Sequence, residues 1–102
     1  MNTKNESPEI THNSKKLCFE SFEGISRAHL DYKWYKKDMA FMHTLVPVTM
    51  QGRGIATALA KAGLDYAMEH KLLILVFCPV VSKYIKKHPE YAKLINPDYY
   101  QI

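Results

Sequence analysis

The first half of the chain alternates between hydrophobic and polar positions in a way that predicts three strands. The predicted strands cover residues 17–22, 28–34 and 39–46. In the second strand the polar residues His29, Asp31 and Lys33 lie between apolar neighbours, and a period of two marks a strand with one buried face. The third is nearly continuously apolar, which is typical of a central strand covered on both faces. Short turns at 23–24 and 35–38 separate the strands, so we predict an antiparallel meander.

The spacing of apolar residues then changes to that of a helix. Between residues 53 and 70 they recur every three or four positions, with small residues beside them that would let the helix pack closely on a sheet. An apolar run at 72–77 predicts another strand, and a strand–helix–strand crossover of this length makes it parallel to the third strand. Pro79 can begin a second helix that Pro89 ends, before a short helical segment to about residue 95. The whole pattern predicts an α/β (α+β) domain.

Residues 1–14 differ from the rest of the chain because they are polar and carry no periodicity. We predict a flexible tail at 1–14 and a single domain at 15–102. A chain of 102 residues can bury one core and has little material for a second site. We therefore expect one activity.

Composition limits the possible functions without choosing among them. The formal net charge of +4 predicts an anionic partner, and a phosphorylated coenzyme, nucleic acid or an acidic surface would each qualify. The two cysteines are Cys18 and Cys78, and the sequence has no secretory signal, so we expect reduced thiols in a cytoplasmic protein. No apolar run is long enough to span a bilayer and no residues have metal-ligand spacing, so we expect neither a membrane partner nor a metal.

The junction between the third strand and the first helix carries the clearest chemical signal. Residues 51–56 read QGRGIA, and the first acidic residue of the helix is Asp65. Glycines let the backbone approach a ligand closely, and the first turn of a helix offers unpaired N–H groups and the positive end of the helix dipole. An anion such as phosphate would complete this terminus. The alternative is that Thr49 or Gln51 caps the helix and the glycines only form a tight turn.

This junction resembles motif A of the GNAT acetyltransferase superfamily, in which Gln or Arg is followed by Gly three positions later and by Gly or Ala after two more. Gln51, Gly54 and Ala56 occupy these positions. The resemblance implies a GNAT-like fold and acetyl-coenzyme A as the acetyl donor, with its pyrophosphate on this loop and its pantetheine arm between two splayed parallel strands. It assigns the pyrophosphate to the N–H groups of Gly52, Gly54, Ile55, Ala56 and Thr57, and the pantetheine to Leu45 and Val46.

Three further segments are similar to the small, stand-alone GNAT-like subfamily often called YjdJ-type. They are His43-Thr44, Cys78-Pro79 and residues 84–91. The resemblance as a whole covers residues 17–94 and implies that Cys78 lies close to the acetyl thioester. A thiolate there could accept the acetyl group covalently, or the thiol could line the acyl pocket. From the residues alone, burial at the end of an apolar strand favours an inert thiol, whereas a helix N-cap position favours a thiolate.

Other polar residues near the predicted site have two interpretations each. His43 could act as a base or donate to the thioester carbonyl, or it could be structural. Tyr84 lies one residue short of the position at which many GNAT enzymes carry a tyrosine near the coenzyme A sulfur, so it could be a general acid there or simply a packed tyrosine. Arg53 could contact a phosphate or be a solvated side chain.

Two further groups of polar residues lie farther from the loop. His29 and Asp31 share a face of the second strand and could face the acceptor side, or simply form an exposed polar face. The lysine cluster Lys83, Lys86 and Lys87 could contact the nucleotide end of the coenzyme or be a solvated surface.

One segment departs from the superfamily pattern. GNAT enzymes place one or two helices between their first two strands to wall off the acceptor, and this chain has only a tight turn at 23–24. Either the acceptor is large and brings its own surface, or a partner subunit completes the pocket, or no transfer occurs. We hypothesise an acetyl-coenzyme A-binding N-acetyltransferase acting on an unknown amine. The alternative is a non-catalytic acyl-coenzyme A sensor or interaction module, while nucleic-acid binding through the aromatic and lysine residues at 32–37 lacks a supporting motif.

Overall fold

The computed structural model describes residues 8–98 and contains one five-stranded sheet with α-helices. The strands are β1 Thr11–Asn13, β2 Cys18–Glu23, β3 Ser26–Tyr35, β4 Asp38–Leu45 and β5 Ile74–Val76, and they lie in the sheet in chain order. The helices are α1 Ile55–Glu69 and α2 Pro79–Lys87, with 3₁₀ helices at Val48–Met50 and Pro89–Leu94. Strands β1 to β4 pair antiparallel, and β5 pairs parallel with β4. The predicted meander, crossover and α/β fold are confirmed.

The boundary of the predicted N-terminal tail is wrong for the part that the structure describes. Thr11–Asn13 forms an edge strand on β2. The ring of His12 stacks on Phe19 with centroids 4.4 Å apart, and its Nε2 lies 2.6 Å from the hydroxyl of Tyr32. A three-residue strand is too short to show a period, and its anchor is a histidine that counts as polar in the sequence. Residues 1–7 of the predicted tail lie outside the described residues.

The hydrophobic core lies between one face of the sheet and both α-helices. The sheet contributes Phe19, Leu30, Tyr32, Phe41 and Ile74, and the helices contribute Leu59, Leu64, Val81 and Ile85 to the same cluster. Gly63 allows the close approach of α1, since a Cβ atom there would lie 2.7 Å from Cε1 of Phe41 and 3.2 Å from Cδ2 of Leu30. We call this side of the sheet the covered face. The other side, on which neither α1 nor α2 packs, is the open face.

A β-bulge in β4 decides which side chains reach each face. Asp31 pairs with His43 and Tyr32 pairs with Phe41, so Met42 is an extra residue in β4. A bulge reverses the in-and-out alternation beyond it. Thr44 therefore points to the covered face, opposite Leu30, and His43 points to the open face.

The two parallel strands separate just after this point. Their last residue pair is Phe41 with Val76, followed by one bond from the N–H of Phe77 to the carbonyl oxygen of Phe41. Beyond it β4 continues to Leu45 against β3 alone, while the chain after β5 turns into α2 at Pro79. This fork lies at the carboxyl ends of the parallel strands, where ligands of α/β folds commonly bind.

Candidate functional site

The loop between β4 and α1 has the backbone shape that its glycines predict. Gly52 and Gly54 have φ angles of 81° and 75°, in the left-handed region that glycine adopts without cost. A Cβ atom on either residue would meet nothing within 4 Å, so the backbone conformation, and not lack of space, requires glycine. The side-chain amide of Gln51 donates to the carbonyl oxygen of Val46 at 3.0 Å and ties the loop to the end of β4.

The first turn of α1 carries N–H groups without a cap. The helix follows Gly54, has no side-chain cap and has no acidic residue in its first turn. The first intrahelical bond runs from the N–H of Ala58 to the carbonyl oxygen of Gly54, so the N–H groups of residues 55–57 precede it. Capping by Thr49 or Gln51 is therefore wrong, since Thr49 contacts the Ser26 hydroxyl and Gln51 bonds to Val46. The helix terminus is open to an anion.

Two of the depressions at this helix terminus share lining residues. One of about 130 Å³ lies over the loop and is lined by Val46, Met50, Gln51, Gly52, Gly54, Ile55, Ala56 and Thr57. Another of about 450 Å³ lies between α1 and α2 and is lined by Ala56, Thr57, Val80, Lys83, Tyr84, Lys87 and His88. Because Ala56 and Thr57 line both, the uncapped helix end lies between a glycine loop and a pocket that carries two lysines.

Arg53 forms an ion pair with a carboxylate at the end of β2. Its guanidinium contacts the carboxylate of Glu23, the last residue of β2, and donates to the carbonyl oxygen of Thr49 at 3.4 Å. Both side chains of the ion pair are about half exposed. A ligand phosphate would thus compete with Glu23 for the charge of Arg53.

Cys78 lies at the fork, and its position agrees with both predictions made from the sequence, a helix N-cap and a buried residue at the end of a strand. It is the N-cap residue of α2, with Pro79 in the first turn, and it is also fully buried. Its Sγ lies 3.1 Å from Oγ1 of Thr44, the residue that the bulge turns toward the covered face. Cys18 and Cys78 are both free thiols. The N-cap residue contributes no side-chain hydrogen bond to the helix, so the Cys78 thiol is held by Thr44 and the core.

His43 lies on the other side of the sheet from this thiol. Its Nε2 lies 2.7 Å from Oδ2 of Asp31, and the Nδ1 of His29 lies 2.8 Å from Oδ1 of the same carboxylate. The His43 side chain is 65% exposed, whereas that of His29 is 17% exposed. The structure thus joins His29 and Asp31, whose role the sequence left open, to His43. It separates His43 from Cys78, because consecutive residues of a strand face opposite sides and Thr44 takes the place beside the thiol.

The remaining predicted site residues divide between the two faces. Val46 lines the depression over the loop, whereas Leu45 lies opposite His29 on the open face and is 50% exposed. Tyr84 is buried and stacks on His88 with ring centroids 4.2 Å apart, yet it also lines the pocket beside α1. It is a packed tyrosine that borders the site.

Sequence reasoning missed a charged cluster at the outer part of the open face. Arg27 Nε lies 2.7 Å from Oε1 of Glu20, and its Nη2 lies 3.2 Å from Sγ of Cys18. Hydrogen bonds from Arg27 and Asn13 lower the pKa of the Glu20 carboxyl. Burial raises the pKa of the Cys18 thiol, as does the nearby Glu20. Glu20 and Arg27 are seven residues apart across a hairpin, so the strand register was the signal that could have found them.

Membrane and metal sites are not found in the described part of the chain. Within residues 8–98, no helix has both the length and the apolar character needed to cross a membrane. The same residues include no group of three His, Cys, Asp or Glu side chains arranged to hold a metal ion.

Comparison with known proteins identifies the family to which this chain belongs. A family model described as GCN5-related N-acetyl-transferase matches residues 18–94, and the chain therefore belongs to this family. The chain is 39% identical over 74 residues to Protein NATD1 from Xenopus tropicalis, a match that covers 70% of this chain and 68% of that protein. Protein NATD1 from Mus musculus and from Homo sapiens match at the same identity, over 67% and 66% of their lengths. The resemblance to the GNAT superfamily is confirmed, and the assignment to the YjdJ-type subfamily stays a prediction.

Proposed function

We propose that this protein is an N-acetyltransferase that takes the acetyl group from acetyl-coenzyme A. The observation that carries the proposal is the uncapped N-terminus of α1, which follows a left-handed glycine loop and borders the fork between β4 and β5. Such a terminus stabilises phosphate oxygens through its N–H groups and the helix dipole. Membership of the GCN5-related family supports the same function.

The chain offers separate groups for each part of the donor. The N–H groups of residues 52–57 would bind the pyrophosphate, and Arg53 would contribute a charge on exchanging Glu23 for a phosphate. Val46 would border the pantetheine where β4 and β5 part. Lys83 and Lys87 line the adjacent pocket, and their positive charge suits the phosphate-bearing nucleotide end.

Acetyl transfer requires a neutral amine held against the thioester carbonyl. His43 is the group proposed to take the amine proton, because its exposed imidazole lies on the face away from the donor loop. Backbone N–H groups at the fork would stabilise the oxyanion. Cys78 participates by one of two routes: it accepts the acetyl group itself, with Thr44 donating a hydrogen bond to its thiolate, or it forms the wall of the acyl pocket.

The open face indicates what kind of acceptor fits. His43 is 65% exposed there, and neither α1 nor α2 forms a wall around it. A small free amine would find few contacts to orient it, and orientation provides much of the rate of a transfer reaction. We therefore propose an amine carried by a protein, which brings its own surface to the open face.

The same openness favours a second candidate function. A non-catalytic acyl-coenzyme A sensor needs the donor loop and no acceptor site. Binding is common to both functions, whereas turnover belongs to the enzyme alone.

Calorimetry and intact mass measurement with acetyl-coenzyme A, alongside free coenzyme A, test the proposal. We expect binding of both ligands at one site per chain, and acetylation of lysine-containing peptides only when acetyl-coenzyme A is present. Binding without acetylation of any peptide, protein or small amine would exclude the enzyme and leave the acyl-coenzyme A sensor as the function. Absence of binding would overturn both functions.

A further inference from the structure

A carboxylate on the open face bridges two imidazoles. Asp31 Oδ1 lies 2.8 Å from Nδ1 of His29, and Oδ2 lies 2.7 Å from Nε2 of His43. The two rings lie 6.5 Å apart at 73° to one another. A carboxylate only accepts hydrogen bonds, so Nδ1 of His29 carries hydrogen and donates to Asp31, while Nε2 of His43 lies in ion-pair contact with the other oxygen.

This arrangement fixes which nitrogen of His43 is basic. When His43 is neutral it carries a single ring hydrogen, and the carboxylate 2.7 Å from Nε2 favours that hydrogen on Nε2, because a lone pair there would face the negative charge of Asp31. The lone pair is then on Nδ1, on the side of the ring away from the carboxylate. Because the His43 side chain is 65% exposed, this second nitrogen can be reached by an acceptor on the open face.

His29 differs from His43 in its exposure. Only 17% of its side chain is exposed, and it donates to the other oxygen of the same carboxylate. Its bond therefore holds the plane of Asp31 and leaves Oδ2 directed at His43. The bulge at Met42 is what brings this pair together, since it sets His43 opposite Asp31 in the strand register.

We propose that Asp31 is a positioning residue that, with His29, holds His43 as the base for an amine arriving on the open face. The inference rests on the proposed N-acetyltransferase function and adds the residues that orient its base. Asp31 acts through His43 and is not itself placed in contact with the acceptor.

The transfer conserves protons and electron pairs. The acceptor ammonium gives one proton to Nδ1 of His43, and the neutral amine attacks the carbonyl carbon of the thioester. The C–N bond forms, the C–S bond breaks, and the electron pair of that bond stays on sulfur. The coenzyme A thiolate takes the second proton from the nitrogen, and the His43 imidazolium returns its proton to water. The net reaction yields the amide, coenzyme A and one proton.

The test is the Asp31→Asn variant, with His43→Gln and Lys33→Gln beside it. An asparagine amide carries no charge and has one accepting and one donating end, so it cannot present an acceptor oxygen to both imidazoles. We expect kcat to fall about tenfold or more in Asp31→Asn and about 100-fold in His43→Gln, with the KM for acetyl-coenzyme A unchanged in both. Lys33, exposed on the same strand and face, provides the control, and Lys33→Gln should keep the kcat of the wild type.

A spectroscopic readout separates orientation from general damage. Long-range ¹⁵N–¹H spectra of the imidazoles should show His43 in the Nε2–H form in the wild type and in mixed forms in Asp31→Asn. An unchanged tautomer and an unchanged kcat in this variant, beside a wild type that acetylates peptides, would overturn the positioning role and leave the proposed function standing. A wild type that acetylates no amine would overturn the proposed function itself, and the inference with it.

Discussion

The two faces of the sheet are built by different kinds of interaction. On the covered face, apolar side chains from β2 to β5 pack against α1 and α2, and the proposed donor site is made of backbone N–H groups and a buried thiol. On the open face, polar side chains hold each other in pairs, as in Glu20 with Arg27 and Asp31 with His43. The donor side is therefore fixed by the fold itself. The proposed acceptor side depends on a few side-chain contacts, and single substitutions can change it without unfolding the chain.

A matched pair of leucines gives the largest expected difference between the faces. Leu59 in α1 is fully buried in the core, whereas Leu45 at the end of β4 is 50% exposed on the open face. We expect Leu59→Ala to lower the free energy of unfolding by about 2–5 kcal/mol because it leaves a cavity. Leu45→Ala should cost less than about 1 kcal/mol, since little packing is lost. Urea denaturation of both variants measures this, and equal losses would show that the open face is covered in solution.

The next effect concerns the loop at the donor site. We expect Gly54→Glu to weaken acetyl-coenzyme A binding by about 100-fold, or ~2.7 kcal/mol, because a carboxylate would enter the proposed phosphate site. The φ of 75° adds strain of about 1–2 kcal/mol for any side chain at this position.

Gly54→Gln is the control for that strain. It has the same size and backbone cost without the charge, so it should bind more tightly than Gly54→Glu. Calorimetry on folded variants, checked by circular dichroism, measures both affinities. A folded Gly54→Glu protein that binds as the wild type does would exclude this loop as the phosphate site.

How far the sequence could predict these features depends on whether each one is local. The uncapped helix start and the left-handed Gly54 follow from a stretch of six residues, so the loop was predictable. The bulge at Met42 is a property of the pairing between β3 and β4, and no residue type within β4 predicts it. Without it, simple alternation would put His43 on the same face as Phe41, next to the core. The sequence pattern therefore could not predict that His43 is separated from Cys78 and lies in ion-pair contact with Asp31.

The third prediction decides the role of Cys78 on the covered face. We expect Cys78→Ser to keep coenzyme binding, because the backbone N–H groups of the loop are untouched, and to lose any covalent acetyl adduct seen by intact mass. On the covalent route, transfer should also slow about tenfold or more in Cys78→Ala.

Two further variants test whether the covalent adduct depends on Cys78 and its contact with Thr44. Cys18→Ala removes the other buried thiol, far from the fork, and should leave the adduct in place. Thr44→Val removes the hydroxyl 3.1 Å from Sγ and should reduce the adduct if that hydroxyl stabilises the thiolate. Transfer at the normal rate by Cys78→Ala would exclude the covalent route and leave direct attack by the amine.

The smallest expected effect comes from the charged pair on the open face. Glu20 is nearly buried beside Arg27, and hydrogen bonds from Arg27 and Asn13 hold its pKa below the ordinary 4.5. A carboxyl whose pKa is lower in the folded state stabilises the fold above the ordinary value and loses that contribution as the pH falls through the folded value. Glu20→Gln should therefore cost about 1 kcal/mol at pH 7, because Arg27 loses a charged partner.

The pH dependence of that cost distinguishes a charge effect from a packing effect. As the pH falls from the ordinary 4.5 through the lower pKa of the folded state, Glu20 becomes protonated, and the advantage of the wild type over the Glu20→Gln variant should shrink toward zero. Urea denaturation of both proteins at pH 7 and at successively lower pH measures the difference, with Glu69→Gln on the exposed surface of α1 as the control. A cost that stays constant with pH would mean that Glu20 stabilises the open face by shape and neutral hydrogen bonding. The contrast between a packed face and a charge-paired face would then no longer hold for this part of the sheet.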